Sequence, residues 1–455
     1  MTLHGHSPSR SRVPAKDAGT NLLNGTTAGN PGKRSFEGMT TATISSGPMG
    51  AAAAAGLTLF FTFFIAATYG FGIYLFPVIM SDMRADLAFI YQQAGVITAA
   101  SQAGFLVAAF TSGAITPRIG GGRVVVASVA ITVACLLGLG VAENIWVIGA
   151  LLTILGGMAA SAYIPMVEVC QRAIGIRHRG KVLGLISSGT AYGVFVNGLL
   201  APYLLANSHW RIIWVTVGAG TGMVLVLAFL YLSTRGLLSG PPPEERAHEP
   251  SRPSARVLWQ RFKGLLGRKT VVIWTIMLLN GFTCLSFQTY FSAYLRDELG
   301  YSAVLAGTLW TVIGFVGMGG GFAMGALADW ITIRAAMAVS YLLLALASLL
   351  VLLHGDVIML YAAAVAFGLA FYAIFGLAPA YISRVTTARQ STIVFGIGNI
   401  LLGFGAMAGN FLGGQLKHMT GTFDWTYILV AAAAFMLVLL TLPLPSERLH
   451  GEPAE

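Results

Sequence analysis

Aromatic and uncharged polar side chains lie inside the long apolar runs of this 455-residue chain, and they are its best candidates for chemistry. A polar group in hydrocarbon needs a hydrogen-bond partner, so these side chains should face neighbouring helices or a wet cavity. Aromatic walls with few hydrogen-bonding groups suit a small neutral or amphipathic organic solute, and a weak monocarboxylic acid carried with its proton also fits. The candidate solute-binding residues are Tyr69, Gln102, Tyr163, Tyr192, Gln288, Trp310, Tyr372 and Asn399.

Other residues of the same types have a structural interpretation. Asn197 and Asn410 fit better as hydrogen-bond partners between packed helices than as ligand contacts. Tyr74 is equally compatible with an aromatic belt at the membrane interface.

Charged side chains are missing from the central turns of the first, fifth, seventh, eighth and eleventh apolar runs. An importer of dicarboxylates is expected to hold its anion with Arg or Lys at this depth, and a proton-coupled carrier often has Asp or Glu there. Glu168 is the carboxylate nearest to the membrane interior, and it lies off centre. The sequence therefore favours an uncharged binding region.

Signatures of enzymes, metal sites and ATP-driven pumps are absent from the sequence. No paired carboxylates, His-Asp pair or metal-ligand spacing supports an enzyme, and the sequence has no CxxC, no His-rich cluster and no phosphate-binding Gly-x-x-x-x-Gly-Lys-Ser/Thr loop. Cys135, Cys170 and Cys284 all fall in apolar runs, so we expect no disulfide. We expect no cofactor, no metal and no enzymatic activity.

Composition and run length predict an all-α integral membrane protein. Hydrophobic residues make up 56% of the chain and charged residues only 10%, whereas soluble domains carry about 25% charged residues. Twelve apolar runs approach the roughly 20 residues that span a bilayer. They lie near 57–80, 94–114, 124–142, 146–169, 182–205, 212–232, 271–294, 303–325, 335–353, 357–381, 391–414 and 425–443.

Basic residues predict the orientation. With both termini cytoplasmic, 23 of the 27 Lys and Arg residues lie inside, and only Arg84, Arg211, Arg296 and Lys417 lie outside. The net charge of +10 thus reflects topology in a cell (inner) membrane, and we expect no nucleic-acid partner.

The two halves of the chain repeat each other. A glycine spacing that begins at Gly180 recurs from Gly396, an offset of 216 residues, and Arg84 matches Arg296 at an offset of 212. Small residues let helices approach closely, and duplicated halves are typical of secondary transporters. The glycines assigned to helix packing are Gly189, Gly193, Gly198, Gly405, Gly409 and Gly413.

The repeats define the domain organisation. We predict six-helix bundles over 51–233 and 271–445, with cytoplasmic tails at 1–50 and 446–455. The first tail is polar and reads as disordered. The linker 234–270 is either an ordinary solvated segment or contains a short amphipathic helix on the membrane surface.

Two loops carry a resemblance to a known family. Residues 113–123 read GAITPRIGGGR and residues 325–334 read GALADWITIR. Both resemble the loop signature of the major facilitator superfamily, Gly-x-Leu-Ala-Asp-Arg-x-Gly-Arg-Arg, with Pro117 and Trp330 as departures. The glycine spacing resembles the fifth-helix pattern of that family, although Val194 and Asn410 replace its proline. The resemblance implies twelve helices in two pseudo-symmetric bundles around a central cavity.

The resemblance also implies gating by charges at the cytoplasmic face. Glu168 and Arg384 occupy matching places in helices 4 and 10, and a charge at this depth needs a partner. Arg172 and Asp329 are among the available partners. Such clusters latch the two halves together in an outward-facing state, and structural anchoring is the alternative interpretation. The candidate gating residues are Arg118, Arg123, Glu168, Arg179, Asp329, Arg334 and Arg384.

These observations predict a secondary active transporter that moves a small organic solute by alternating access, coupled to protons or to exchange. We expect a monomer in the lipid bilayer. The alternatives are a membrane sensor or assembly factor that kept the fold and lost transport, and, with less support, a membrane-embedded enzyme. The sequence leaves import and export both open.

Overall fold

Twelve membrane-length apolar helices make up the computed structural model, which describes residues 49–238, 265–353 and 356–447. The predicted all-α fold with twelve spans is confirmed. The predicted N-terminal tail, the possible amphipathic segment of the linker and most of the C-terminal tail lie outside the described residues. The helices are α1 (Ala51–Leu87), α2 (Tyr91–Ile119), α3 (Gly121–Val141), α4 (Ile145–Ala173), α5 (Ile176–Asn207), α6 (Trp210–Thr234), α7 (Arg268–Glu298), α8 (Ala303–Trp330), α9 (Ile333–Leu352), α10 (Val357–Val385), α11 (Ala388–Thr420) and α12 (Asp424–Thr441).

Local sequence explains where several helices begin and end. The Asn144, Ser302 and Thr332 side chains accept hydrogen bonds from backbone N–H groups in the first turns of α4, α8 and α9, at 2.8, 3.2 and 3.1 Å. These side chains satisfy N–H groups that have no partner within the helix. Gly421 ends α11 with a φ of +79°, a left-handed conformation that glycine adopts without strain.

The helices form two halves with the same internal packing. In the N-terminal half, α1–α6, α2 and α3 pack on α4, and α3 packs on α6. In the C-terminal half, α7–α12, α8 and α9 pack on α10, and α9 packs on α12. The halves meet mainly through α2 with α11, α5 with α8, and α1 with α7. In the repeat, α2 is equivalent to α8 and α5 is equivalent to α11. The α2–α11 and α5–α8 contacts are therefore equivalent to each other, as a pseudo-twofold axis between the halves requires.

An even number of spans places the start of α1 and the end of α12 on one face of the bundle. We call it the terminus face and the opposite one the far face. Helices α1, α3, α5, α7, α9 and α11 run from the terminus face to the far face, and the even-numbered helices return.

Helix α1 is irregular at its middle. Residues Ala66–Phe71 form a π-helical segment, and a turn follows before the helix resumes at Leu75. A wider turn disturbs the regular hydrogen-bond ladder, and such segments often occur at functional sites. The Asn197 amide of α5 donates to the Gly70 carbonyl oxygen at 2.7 Å and so partners this segment from the neighbouring helix. The turn itself borders the central cavity.

The glycines assigned to helix packing lie where helices approach closely. A Cβ on Gly193 of α5 would lie 2.6 Å from the Ala66 carbonyl oxygen of α1. In the other half, a Cβ on Gly409 of α11 would lie 2.6 Å from the Phe282 carbonyl oxygen of α7. Gly189 likewise faces Thr62, and Gly405 and Gly413 face Leu278 and Tyr290. Each half therefore uses the same glycine-lined contact, α5 on α1 and α11 on α7.

Candidate functional site

A cavity lies between the two halves at the middle of the bundle. The space between its walls, together with the open solvent at its mouth, amounts to about 390 Å³. Helices α1, α2 and α4 line it from the N-terminal half, and α7 and α11 line it from the C-terminal half. The lining residues are uncharged: Gly72, Ile73, Tyr74, Phe76, Pro77, Thr98, Ser101, Gln102, Leu152, Leu285, Gln288, Thr289 and Asn410.

Two hydroxyl groups at the cavity wall already have acceptors. The Thr98 hydroxyl donates to the Ala94 carbonyl oxygen of its own helix at 2.9 Å. The Thr289 hydroxyl donates to Asn410 Oδ1 at 3.0 Å, which joins α7 to α11. Asn197 and Asn410 thus both make the hydrogen bonds between helices that the sequence favours for them. These hydroxyl hydrogens are therefore not free for a ligand.

Gln288 differs from these two threonines. Its side chain is only 1% exposed, and neither Nε2 nor Oε1 has a hydrogen-bond partner in the described part of the chain. A buried polar atom left without a partner costs about 1–3 kcal/mol. Gln102 lines the same cavity from α2 and is half-buried. The structure therefore brings together two of the predicted residues, one from each half.

Tyr69 and Tyr163 form a second group outside the cavity lining. Their ring centroids lie 6.4 Å apart in an edge-to-face arrangement, and the Tyr163 hydroxyl lies 3.2 Å from the Ser187 hydroxyl oxygen. Both side chains are half-buried. They lie in the N-terminal half, on α1 and α4.

The remaining four predicted residues belong neither to the cavity lining nor to this tyrosine pair. Trp310 is fully buried and donates from Nε1 to the Ser292 hydroxyl oxygen at 2.8 Å, so its contacts are those of a packing residue. Tyr372 packs its ring against Gly317, and its hydroxyl has no partner among the described residues. Tyr192 is 40% exposed. Asn399 is exposed and donates to the Phe395 carbonyl oxygen of its own helix at 3.1 Å.

Several lining residues were missed as candidates from the sequence. Ser101, Thr98 and Thr289 are hydroxyl residues that membrane helices carry throughout, so their type alone does not mark a site. Tyr74 lines the cavity and is only 7% exposed, so its place is in the interior rather than in an interfacial belt. The turn in α1 brings Tyr74 to the cavity, and the apolar periodicity of the sequence does not reveal that turn.

The predicted gating residues cluster at the terminus face without joining the two halves. Glu168 pairs with Arg172 at 2.5 Å, one turn further along α4. Arg179 donates from Nε to the Ile174 carbonyl oxygen at 2.8 Å. Arg334 donates to the Leu444 carbonyl oxygen at 2.7 Å and so ties α9 to the segment after α12. Each contact lies within one half.

The other predicted gating residues at this face are exposed. They are Arg118, Arg123, Asp329 and Arg384. Asp329 and Arg384 form no ion pair with each other in the described structure. Among the described residues, every ion pair that joins the two halves lies at the far face.

At the far face, two ion pairs cross between the halves. Arg84 of α1 approaches Asp297 of α7, with 3.3 Å between Nε and Oδ2. Arg296 of α7 reaches back to Asp82 of α1 with both terminal nitrogens, and Nη2 lies 2.9 Å from Oδ1. The Tyr91 hydroxyl of α2 also donates to Asp297. Because Arg84 and Arg296 are equivalent in the repeat, each half contributes one arginine to the other.

Further charged contacts at the far face stay within one half. Arg211 Nη1 donates to Asp86 Oδ2 at 2.7 Å, which joins α6 to α1. Lys417 pairs with Glu298, which joins α11 to α7. The three arginines and the lysine of this face are thus all paired with acids.

The space around the interface glycines shows that the two halves are closer together at the far face than at the terminus face. Gly95 and Gly113 lie 18 residues apart on α2, which is five turns, so they share one helix face. At the far end, a Cβ on Gly95 would lie 3.2 Å from the Gly414 Cα atom of α11. At the terminus end, a Cβ on Gly113 or on Gly396 of α11 would have nothing within 4 Å.

The equivalent pair of helices repeats this pattern. On α5 and α8, a Cβ on Gly198 would lie 2.6 Å from the Gly307 carbonyl oxygen. Gly180 and Gly325, each 18 residues away towards the terminus face, have nothing within 4 Å of an added Cβ. Both interfaces are therefore closed at the far end and open at the terminus end.

Comparison with known proteins agrees with this architecture. Residues 62–353 match the family model described as Major Facilitator Superfamily. The cis,cis-muconate transport protein of Acinetobacter baylyi (strain ATCC 33305 / BD413 / ADP1) is 22% identical over 256 residues. That match covers 54% of this chain and 59% of the relative, so the chain spans about three fifths of its length.

Solved structures share the fold at low sequence identity. The crystal structure of a mutant of the nucleoside transporter NupG has a TM-score of 0.67 at 14% identity, covering 85% of this chain and 99% of that chain. A bacterial homolog of the human lysosomal transporter Spinster, in an inward-facing and unoccupied conformation, has a TM-score of 0.63 at 14% identity. It covers 87% of this chain and 95% of that chain.

Proposed function

Because this chain belongs to the Major Facilitator Superfamily, we propose that it is a secondary active transporter that moves a small organic solute across the membrane by alternating access. The single observation that carries the proposal is the uncharged cavity shared by the two halves, whose described residues form ion pairs between the halves at the far face and none at the terminus face. A solute held between two halves can be exposed to one side and then to the other as the halves rock.

The chemistry of the cavity supports a neutral or amphipathic solute, or a weak monocarboxylic acid. Its wall has tyrosine, phenylalanine and leucine side chains with a few amides and hydroxyls. An ionised solute in this wall would lack a counter-charge, which is costly inside a membrane. The relative named for muconate makes organic acids the first class to test.

Alternating access also gives a function to the four terminus-face glycines around which an added Cβ would meet no atom within 4 Å. In the proposed second state, the far face opens and the terminus face closes, so that Gly113 meets Gly396 and Gly180 meets Gly325. Packed interfaces of this kind switch between discrete arrangements. Glu168, Asp329 and Arg384, with the other basic residues of this face, then come close enough to act as the latch predicted from the sequence.

We place the terminus face on the cytoplasmic side of a cell (inner) membrane, because the tails and loops joined to it in the sequence hold 23 of the 27 Lys and Arg residues. Coupling to protons or to exchange supplies the driving force. The protein acts as a monomer in this proposal, since one chain contains the complete cavity.

Transport by purified protein in sealed liposomes tests the proposal. A preloaded radiolabelled acid or neutral solute should exchange with external solute, and a proton gradient should drive its accumulation unless an uncoupler is present. A sensor or assembly factor with the same fold would show no flux above empty liposomes for any solute. That result, for protein verified as folded, would refute transport.

A further inference from the structure

We propose that Gln288 recognises an uncharged carboxyl group, or a carboxamide of the same shape, on the transported solute. This inference rests on the proposed transport function and names the chemical group that the cavity binds. It starts from a buried amide that has no hydrogen-bond partner among the described residues.

The two neighbouring threonine hydroxyls of the wall do not supply partners for Gln288, so its amide is available to a ligand. The Thr98 and Thr289 hydroxyls, which line the same cavity, donate to the Ala94 carbonyl oxygen and Asn410 Oδ1, so neither donates to Gln288 Oε1. Both polar atoms of Gln288 are buried and unpartnered while the residue lines the cavity. A ligand that offered one donor and one acceptor would satisfy both atoms at once.

An amide presents its donor and its acceptor side by side. An undissociated carboxyl group matches this arrangement, because its O–H donates to the amide oxygen while its C=O accepts from the amide N–H. A carboxamide on the solute matches it in the same way. A carboxylate anion does not, since it only accepts and the Gln288 oxygen would face a negatively charged oxygen.

The rest of the wall selects the body of the solute. Tyr74, Phe76 and Leu285 provide an apolar surface, and Gln102 on α2 offers a second amide from the opposite half. No residue of the lining is charged, so the wall has no cation to hold a carboxylate. A compact apolar or aromatic body with one neutral carboxyl or carboxamide group fits these contacts.

For an acid, the solute itself then carries the coupled proton. The carboxylate and one proton combine on one side, the neutral acid crosses in the cavity, and the acid releases the same proton on the other side. Charge and atoms balance, and one proton moves with each acid without a titrating side chain in the helices. A carboxamide solute would cross without a proton.

Binding to purified full-length protein tests the proposal without interference from acids that diffuse through lipid. The probes are radiolabelled benzoate and benzamide, which share one aromatic body. We expect the apparent Kd of benzoate to rise about tenfold for each pH unit above the pKa of the probe, because only the neutral acid binds. We expect the Kd of benzamide to stay constant between about pH 5 and pH 8, where the amide does not titrate.

The substitution Gln288→Met keeps the length of the side chain and removes both polar atoms. Two neutral hydrogen bonds are worth about 0.5–1.5 kcal/mol each, so binding of either probe should weaken about 5- to 150-fold. The thermal stability of the protein without ligand should not fall, because the substitution removes a buried amide whose missing hydrogen bonds are themselves destabilising. A purely structural glutamine would instead lower stability when replaced.

Asn280→Leu is the matched control. Asn280 is a buried amide on the same helix with an unpartnered Nδ2, but it does not line the cavity. Its substitution should leave both Kd values unchanged. Benzoate binding that is independent of pH, or unchanged binding in Gln288→Met, would overturn the proposal. If neither probe binds while liposomes still transport another solute, the recognition of this group is wrong and the transport function stands.

Discussion

Removing one arginine at the far face should open the transporter to that side. Arg296 holds Asp82 with two charge-assisted hydrogen bonds, and the side chains are only 18% and 21% exposed. Bidentate pairs of this kind are the stronger ones, and hydrogen bonds to charged groups contribute about 1.5–3 kcal/mol. The pair exists only while the far face is closed, so Arg296→Ala destabilises this state selectively.

The size of the effect follows from that energy. Partial exposure favours the lower end of the range, about 1.5–2 kcal/mol, and each 1.4 kcal/mol changes an equilibrium about tenfold. We therefore expect the ratio of far-open to far-closed protein to increase about ten- to thirtyfold.

Chemical labelling in the cavity measures this ratio. With the three native cysteines replaced by alanine, Thr98→Cys places a thiol on the cavity wall. A membrane-impermeant maleimide added at the far face should react about ten- to thirtyfold faster in Arg296→Ala. Exchanging the charges in Asp82→Arg/Arg296→Asp should return the rate towards that of the parent.

Arg211→Ala is the matched control on the same face. It removes an arginine that pairs with Asp86 at 2.7 Å inside the N-terminal half, so the interface between the halves keeps its ion pairs. Its labelling rate should stay within about twofold of the parent. Equal acceleration in both variants, or no acceleration in Arg296→Ala, would refute the reasoning.

Two further predictions concern packing and the terminus face. Gly198→Val should prevent close packing of α5 on Gly307 and lower the free energy of unfolding by about 1–3 kcal/mol. Gly220→Val should not, because an added Cβ there has nothing within 4 Å. Thermal unfolding of the two purified variants compares them, and equal stability would contradict the packing argument. Glu168→Gln should weaken the proposed latch, slow exchange in liposomes several-fold and reduce labelling from the far face; unchanged exchange and unchanged labelling would exclude the latch.

The fold could be predicted almost completely because the properties that specify it are local. Run length and apolar composition identify a membrane helix, and each predicted run overlaps one observed helix. The ends extend further than predicted in several places, as in α5, which begins at Ile176 with polar and basic residues. Apolar composition does not predict these polar terminal turns of a helix, because they lie beyond the hydrocarbon region of the membrane.

The candidate site could be predicted only in part. Gln102 and Gln288 stood out because amides are costly in hydrocarbon, and both line the cavity. Trp310 is of an equally suggestive type, but its indole N–H bonds to Ser292 and its ring is buried. Residue type does not reveal which neighbour satisfies a polar group.

The ion pairs between the halves could not be identified from the sequence. Arg84 and Arg296 were recognised as equivalent residues of the repeat, yet their partners Asp297 and Asp82 lie more than 200 positions away in the chain. Pairing across such a distance depends on how the two halves meet. The repeat gives the internal packing of each half, and the relation between the halves comes only from the structure.

A cross-link between α2 and α11 tests the central claim most directly. Gly113→Cys and Gly396→Cys, in the protein without native cysteines, lie in open space in this structure and should meet when the terminus face closes. Oxidation in liposomes should form a disulfide and stop solute exchange, and reduction should restore it, whereas the control pair Gly113→Cys and Gly376→Cys should remain unlinked. Continued exchange with no disulfide between residues 113 and 396 would contradict two halves that rock around a shared cavity.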